Sequence, residues 1–162
     1  MTDMAWKPDV TVAAVVERDG HFLFVEERAS GRIVLNQPAG HLENGETLLH
    51  AVVRETLEET GWTFAPEALV GIYLWKPAQN QRTFLRVAFC GPAIAHDAQR
   101  ALDDGIVGAR WLTRAQLASM GPRLRSPLVL RCVDDYLAKA RYPLALLTHL
   151  IPEAAANLAV GG

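Results

Sequence analysis

Three glutamates lie on one face of a predicted helix in the N-terminal half of the chain. Glu55, Glu58 and Glu59 are spaced i, i+3 and i+4, which places their carboxylates side by side on the helix surface. Like charges at this spacing repel by about 0.2–0.5 kcal/mol per pair, and a divalent cation relieves that repulsion. Mg²⁺ and Mn²⁺ both prefer carboxylate oxygens as ligands. The spacing predicts a metal site, although three glutamates alone are more often a solvated helix face.

Two charged residues beside the glutamates favour the metal site over the solvated face. Arg54 lies one turn before Glu58, where it can orient that carboxylate and offset part of the repulsion. Glu46 precedes the same helix and is expected to join the ionic cluster. We therefore expect Arg54 and Glu46 to organise the metal-binding carboxylates.

Two glycines bracket this segment, and each predicts a particular backbone geometry. Gly40 ends an apolar stretch just before the helix, where a close approach of the backbone would require glycine. That approach would bring the carbonyl of Ala39 to the carboxylates as an additional metal ligand. Gly61 follows the last helical residue and is expected to end the helix in the left-handed conformation.

The spacing over residues 40–62 resembles the Nudix box, the signature of hydrolases that split a diphosphate linked to another group. All seven defining positions are filled, by Gly40, Glu46, Arg54, Glu55, Glu58, Glu59 and Gly61. The resemblance implies Glu55 and Glu59 as principal metal ligands and Glu58 as a ligand or base. Thr56 stands at a box position that is normally aliphatic, and its hydroxyl can bond the helix backbone. The implied cofactor is Mg²⁺, with Mn²⁺ as the alternative.

A second candidate for the catalytic base lies in a later loop. The segment Leu102-Asp103-Asp104-Gly105-Ile106 resembles the LDEGI segment of many Nudix relatives, with Asp104 where glutamate is usual. The resemblance implies a catalytic role for Asp104. The alternative, that the two aspartates simply cap or solvate a turn, is equally consistent with the sequence.

Further blocks resemble the NudJ-type phosphatases within the Nudix family. They are residues 7–8, 10–13, 36–43, 85–86, 125–129 and 141–144. The resemblance implies hydrolysis of hydroxymethylpyrimidine pyrophosphate and thiamine pyrophosphate, and release of orthophosphate from nucleoside di- and triphosphates. Asn36 and Gln37 are predicted to hydrogen-bond the substrate, and Arg28 to grip a phosphate. Among the tryptophans, Trp75 is the candidate for stacking on a base.

Alternative functions remain open at this stage. Pro77 lies sixteen residues beyond Gly61, a spacing that resembles relatives cleaving ADP-ribose, so an ADP-ribose or nucleotide-sugar pyrophosphatase is the second hypothesis. A non-catalytic nucleotide-binding module of the same fold is disfavoured, because such modules typically lack box glutamates. A net charge of -2 argues against an enzyme acting on RNA caps or another nucleic-acid polymer.

The elements that must position these residues follow from turn signals and hydrophobic periodicity. Strands are predicted over residues 10–16, 21–26, 33–37, 69–75, 83–90 and 106–112, and helices over 46–60, 114–118 and 127–140. Residues 10–16 and 21–26 are expected to form a hairpin, as are residues 69–75 and 83–90. Residues 92–105 are expected to be a loop, and residues 144–151 a last apolar segment. This interleaving predicts a mixed sheet sandwiched between helices, an α/β/α architecture that the Nudix resemblance also implies.

Length and composition set the remaining expectations. A chain of 162 residues suits a single domain, with residues 153–162 as a frayed tail. The sequence lacks a signal pattern or a membrane-spanning apolar run, and its two cysteines are not arranged as a metal or disulfide motif. We expect a cytoplasmic enzyme that acts on a small-molecule diphosphate, away from membranes. A monomer is the default, with a dimer as the alternative.

Overall fold

The computed structural model describes residues 5–152. Eleven strands lie within them: β1 Asp9–Val15, β2 Glu17–Arg18, β3 His21–Ala29, β4 Arg32–Asn36, β5 Ala39–His41, β6 Trp62–Phe64, β7 Ala68–Trp75, β8 Phe84–Cys90, β9 Ala93–His96, β10 Ile106–Thr113 and β11 Tyr142–Pro143. The α-helices are α1 Leu48–Thr60, α2 Arg114–Ser119 and α3 Leu128–Leu137. Short 3₁₀ helices span Gly121–Arg123 and Leu144–Leu146. None of the described helices is long and apolar enough to cross a membrane.

A mixed five-stranded sheet forms the centre of the molecule, in the order β11-β7-β8-β1-β5. The pair β1 and β8 is parallel, and the other neighbours are antiparallel. In a second sheet, β3 pairs antiparallel with β10, β2 and β4. The predicted hairpin of β7 and β8 is confirmed.

The central sheet is buried on both faces, because alternate residues of β1 pack into two different clusters. Ala13 and Val15 contact the side that contains Val129 and Cys132 of α3. Val12, Ala14 and Val16 face the side that contains Ala51 and Val52 of α1. The sheet therefore lies between α1 and α3, which confirms the predicted α/β/α layers.

The first predicted hairpin is only partly present. The turn is there, since Asp19 and Gly20 both have positive φ and join β2 to β3, as a two-residue hairpin requires. β1 itself does not pair with β3; it pairs with β8 and β5 in the central sheet. The chain passes from one sheet to the other near Val16, a switch that alternation of side chains does not reveal.

The observed helix ends lie within a few residues of the predicted ones. α1 begins at Leu48, two residues later than predicted, because Thr47 caps it by accepting a hydrogen bond from His50 N–H. Gly61 ends it at a φ of 72°, as predicted. Thr113 caps α2. Ser126 Oγ accepts from the Leu128 amide at the start of α3.

Three other segments differ from the sequence expectation. The predicted loop 92–105 contains β9, which pairs with β6 directly after α1. Residues 39–41 form a short strand at the edge of the central sheet. The apolar segment 144–151 contains only a 3₁₀ turn, and the predicted tail 153–162 lies outside the described residues. The two short strands depend on partners distant in sequence, so local patterns did not identify them.

Candidate active site

Gly40 allows β5 to lie directly against the polar face of α1. A Cβ atom built on Gly40 would overlap the carboxylate group of Glu55. Any other residue would force the Glu55 carboxylate out of this position. The predicted close approach at Gly40 is therefore present, and its contact is a side chain of the predicted metal site.

Arg54 is the centre of an ion-pair network that holds the box glutamates. Its Nη2 and Nε donate to the two carboxylate oxygens of Glu46 over 2.6 and 3.0 Å. Its Nη1 donates to Glu55 over 2.9 Å and to Glu58 over 3.1 Å. A further bond from Nη2 to the carbonyl of His41 ties the network to β5. Arg54 thus orients three carboxylates, and its bond lowers the pKa of the Glu46 carboxyl.

Glu59 lies on the same helix face but pairs with backbone instead of Arg54. The amide of Ala39 donates to its Oε2 over 2.9 Å. Burial raises the pKa of Glu59 to about 9, against the lowering effect of that hydrogen bond. Burial also raises the pKa of Glu55, although Arg54 opposes the shift. In an extended strand the carbonyl of Ala39 points the same way as its amide, so it faces α1 as well.

The carboxylate cluster consists of Glu55, Glu58 and Asp103, which each offer an oxygen within 4.8 Å of the others. A backbone bond from Asp103 N–H to the carbonyl of Glu58, 3.0 Å long, holds the loop against α1. Asp104 is exposed and lies outside this cluster. The structure therefore brings the loop to the box as predicted, but through Asp103 rather than Asp104.

The donor set fits a hard divalent cation. Glu55, Glu58 and Asp103 offer oxygen ligands only, and Mg²⁺ and Mn²⁺ prefer such ligands. Glu59 lies one residue beyond Glu58, and its raised pKa shows that its charge needs a positive partner. A bound cation would supply that partner.

A cavity of about 570 Å³ opens beside these carboxylates. Glu55, Glu59 and Glu27 give it an acidic wall. Trp75 and Phe84 give it an aromatic wall, with their rings stacked at 5.6 Å. A cavity of this size suits a small molecule that carries both phosphates and a ring.

Of the three residues predicted to bind substrate, only Asn36 lines the cavity. Asn36 lines the cavity but is 7% exposed, and its side-chain oxygen accepts from Arg86. Gln37 is buried behind it and bonds both Arg86 and the carbonyl of Val129. Arg28 is exposed and is not among the cavity-lining residues. Both amides therefore hydrogen-bond a neighbouring arginine, and Arg28 is not part of the cavity lining.

Sequence reasoning missed two charged residues of the cavity, Arg86 and Glu27. Arg86 is buried within β8, whose other residues are apolar. A lone charge inside an apolar strand is a sequence signal for a buried functional group. Glu27 lies near the exposed end of β3 and gave no comparable signal.

Comparisons with known proteins agree with this geometry. The family model described as "NUDIX domain" matches residues 7–131. The phosphatase NudJ of Escherichia coli strain K12 is 39% identical over 142 residues, which cover 88% of this chain and 92% of that protein.

Two solved structures share the fold. A NUDIX hydrolase from Nitrosomonas europaea is 50% identical and superposes with a TM-score of 0.85, covering 88% of this chain and 97% of that one. A MutT NUDIX hydrolase from Burkholderia pseudomallei has a TM-score of 0.66 at 22% identity, covering 80% and 98%. The second likeness concerns the fold alone.

Proposed function

Because this chain belongs to the Nudix family and is a hydrolase of phosphoric anhydrides, we propose that it is a Mg²⁺-dependent phosphohydrolase of small diphosphates. The proposed substrates are hydroxymethylpyrimidine pyrophosphate, thiamine pyrophosphate and nucleoside di- and triphosphates. The observation that carries this proposal is the carboxylate cluster, whose member Glu55 lines a cavity large enough for a ring and two phosphates. We further propose a single-domain monomer that acts in the cytoplasm, where its buried thiols Cys90 and Cys132 would stay reduced.

Glu55, Glu58, Glu59 and the Ala39 carbonyl would hold the cation. When bound, Mg²⁺ supplies charge neutralisation on the phosphate oxygens and a water ligand of lowered pKa. Arg54 keeps Glu55 and Glu58 in one orientation through its two Nη1 bonds. Preorganised carboxylates save the cost of ordering them when substrate arrives.

The reaction is attack of water oxygen on phosphorus, with cleavage of the anhydride P–O bond and departure of a phosphate. The water loses a proton, which a nearby carboxylate must accept. Glu58 is the first candidate for this base, because it is the most exposed glutamate of the carboxylate cluster. Asp103 is the second, because its loop holds it within the same cluster.

An ADP-ribose or nucleotide-sugar pyrophosphatase is the second candidate function. Pro77 lines the cavity, as a substrate-selecting residue would. In that case the bond cleaved would join two substituted phosphates instead of a terminal one. The chemistry at the carboxylates would be the same, so the two functions differ in the products that they release.

Product analysis by mass tests the proposal. The purified protein is incubated with Mg²⁺ and equal concentrations of the proposed substrates and ADP-ribose. We expect orthophosphate from the pyrimidine and nucleoside compounds, with ADP-ribose intact. AMP and ribose phosphate formed fastest would instead establish the second function.

Matched variants connect that activity to the site. Glu58→Gln and Glu59→Gln should each lower turnover by about 10³-fold, whereas Glu67→Gln should leave it unchanged, because Glu67 is exposed and is not among the cavity-lining residues. Full hydrolysis of a diphosphate by both glutamine variants of the box would refute the site assignment.

A further inference from the structure

Arg86 is a buried guanidinium without a buried counter-charge among residues 5–152. It is 6% exposed, lies in the middle of β8, and its side chain lines the cavity. None of the salt bridges in the described part of the chain includes it. A cation taken out of water at a cost of several kcal/mol requires compensation.

The partners that Arg86 does have are neutral. Its Nη1 donates to Gln37 Oε1 over 3.1 Å, and its Nη2 donates to Asn36 Oδ1 over 3.2 Å. The thiol of Cys132 lies nearby, but burial raises the pKa of that thiol even though Arg86 opposes the shift. The thiol therefore does not act as a counter-ion.

The hydrogen-bonding capacity of Arg86 is also incompletely used. A guanidinium has five donors in a fixed fork. Its Nε is fully buried and has no hydrogen-bond partner within residues 5–152. Nη1 and Nη2 each keep a second N–H beyond the bonds to Gln37 and Asn36, and these N–H groups are available for acceptor atoms of a ligand in the cavity, such as phosphate oxygens.

The two amides hold the guanidinium in place. Gln37 bonds Arg86 through its oxygen and the carbonyl of Val129 through its nitrogen, over 2.7 Å. Arg86 is thus linked to α3 and to the end of β4 at once. Such bonds fix the orientation of a binding group before its ligand arrives.

The position of Arg86 suits contact with a phosphate that the carboxylates also approach. Its partner Asn36 is three residues from Ala39, whose amide bonds Glu59. Arg86 also lines the same cavity as Glu55 and Glu59, so a phosphate chain bound there can contact both the guanidinium and the carboxylates.

We infer that Arg86 binds the diphosphate of the substrate, donating the N–H groups of Nη1 and Nη2 that the amides leave free to phosphate oxygens. Asn36 and Gln37 are then positioning residues that act through Arg86. This inference rests on the proposed function for its substrate class, and its test uses a ligand that cannot be hydrolysed.

The test is calorimetric titration of methylenediphosphonate into the Mg²⁺-loaded enzyme. Arg86→Gln should weaken the Kd by about 10- to 100-fold, as expected for loss of a charge-assisted pair of bonds. Arg86→Lys should fall between the two, because lysine keeps the charge but lacks the fork. Arg110→Gln is the control, since Arg110 is exposed, pairs with Glu26 and is not among the cavity-lining residues.

A folded Arg86→Gln protein that binds methylenediphosphonate within twofold of wild type would overturn the inference. The inference would also fail if Arg86→Gln kept its affinity for methylenediphosphonate but lost kcat/KM for particular substrates. Arg86 would then contact the organic group of the substrate instead of its diphosphate. If the enzyme binds methylenediphosphonate through Arg86 but hydrolyses no diphosphate, the proposed function fails and the binding site stands.

Wild-type protein provides a second measurement, in case the variants do not fold. Arginine guanidinium N–H signals, including those of the Nη groups, are recorded by nitrogen-15 NMR before and after methylenediphosphonate is added. We expect one signal to shift downfield and to do so again in an Arg32→Gln/Arg125→Gln protein, which lacks the two exposed arginines of the cavity. No such shift would mean that Arg86 has a purely structural role.

Discussion

Helices α1 and α3 pack on opposite faces of the same sheet, yet they bury different kinds of side chain. The buried residues of α3 are Leu128, Val129, Cys132 and Val133. Those of α1 are Ala51, Val52, Glu55, Thr56, Glu59 and Thr60. One helix therefore buries only apolar and thiol groups, and the other buries two carboxylates beside its apolar residues.

The acidic residues of α3 show what a helix does when its charges serve stability alone. Asp134 pairs with Arg114 over 2.9 Å at the surface, and Asp135 pairs with Arg131 over 2.9 Å. Both pairs remain partly solvated, so little desolvation cost arises. In α1 the hydroxyl of Thr56 is satisfied by the carbonyl of Val52, but Glu59 has raised pKa from burial. A buried carboxylate lowers the stability of the fold, so its presence on α1 is a reason to assign a function to that helix.

The sharpest test of this contrast replaces one carboxylate on each helix. Glu59→Gln should lower kcat by about 10³-fold, the scale seen when a charge-stabilising group is removed from an active site. Asp134→Asn should leave kcat within twofold, because its partner Arg114 is half exposed. Steady-state kinetics with Mg²⁺ measure both. Equal losses of kcat in the two variants would contradict the assignment of catalysis to α1 and of stability to α3.

The loop after β9 offers a second pair, at adjacent positions. Asp103→Asn should lower kcat by about 10- to 100-fold, whether Asp103 acts as base or orients a metal ligand. Asp104→Asn should have little effect, because Asp104 is exposed outside the carboxylate cluster. The pH profile of kcat should change only for Asp103→Asn. A larger loss for Asp104→Asn would restore the assignment made from sequence.

The sequence predicts α1 and its network well because the interactions are local. Arg54, Glu55 and Glu58 lie within two turns of one helix, so spacing alone determines that they are neighbours. Gly40 was predictable because glycine signals close approach even when the contacting atom is unknown.

The features missed from sequence depend on long-range pairing. Arg86 meets Asn36 across 50 residues of chain, so the amides were assigned to substrate instead of to an arginine. The choice between Asp103 and Asp104 depends on the backbone of one turn. β9 depends on β6, about 30 residues earlier along the chain.

A substitution that creates a cavity beside α3 tests whether the buried residues of this helix serve stability alone. Val133→Ala removes two methyl groups from a fully buried position and should lower the free energy of unfolding by about 2 kcal/mol. The kcat of the folded fraction should stay unchanged, because α3 contributes no residue to the carboxylate cluster. Urea denaturation measures the free energy of unfolding, and steady-state kinetics at low temperature measure kcat. A large fall in kcat without loss of stability would mean that α3 has a direct role in the site.

The smallest expected effect concerns the pH dependence of stability without metal. Burial raises the pKa of Glu59 to about 9 in the folded state, against 4.5 for a free glutamate side chain. Between these values the folded protein retains a proton that the unfolded chain releases, so rising pH destabilises the wild type. Glu59→Gln cannot lose this proton, so in EDTA it should become progressively more stable than the wild type as the pH rises from about 4.5 toward 9. The advantage should vanish near pH 4.

Urea denaturation at several pH values measures the difference, and Glu67→Gln is the control because its carboxylate is exposed. Burial also raises the pKa of Glu55, but Glu55 remains in both proteins, so the effect of its own burial cancels in the difference. Mg²⁺ should reverse the order, because it stabilises the ionised wild-type carboxylates and has one ligand fewer in the variant. A difference independent of pH would show that Glu59 is already ionised, and α1 would then resemble α3 in burying no costly charge.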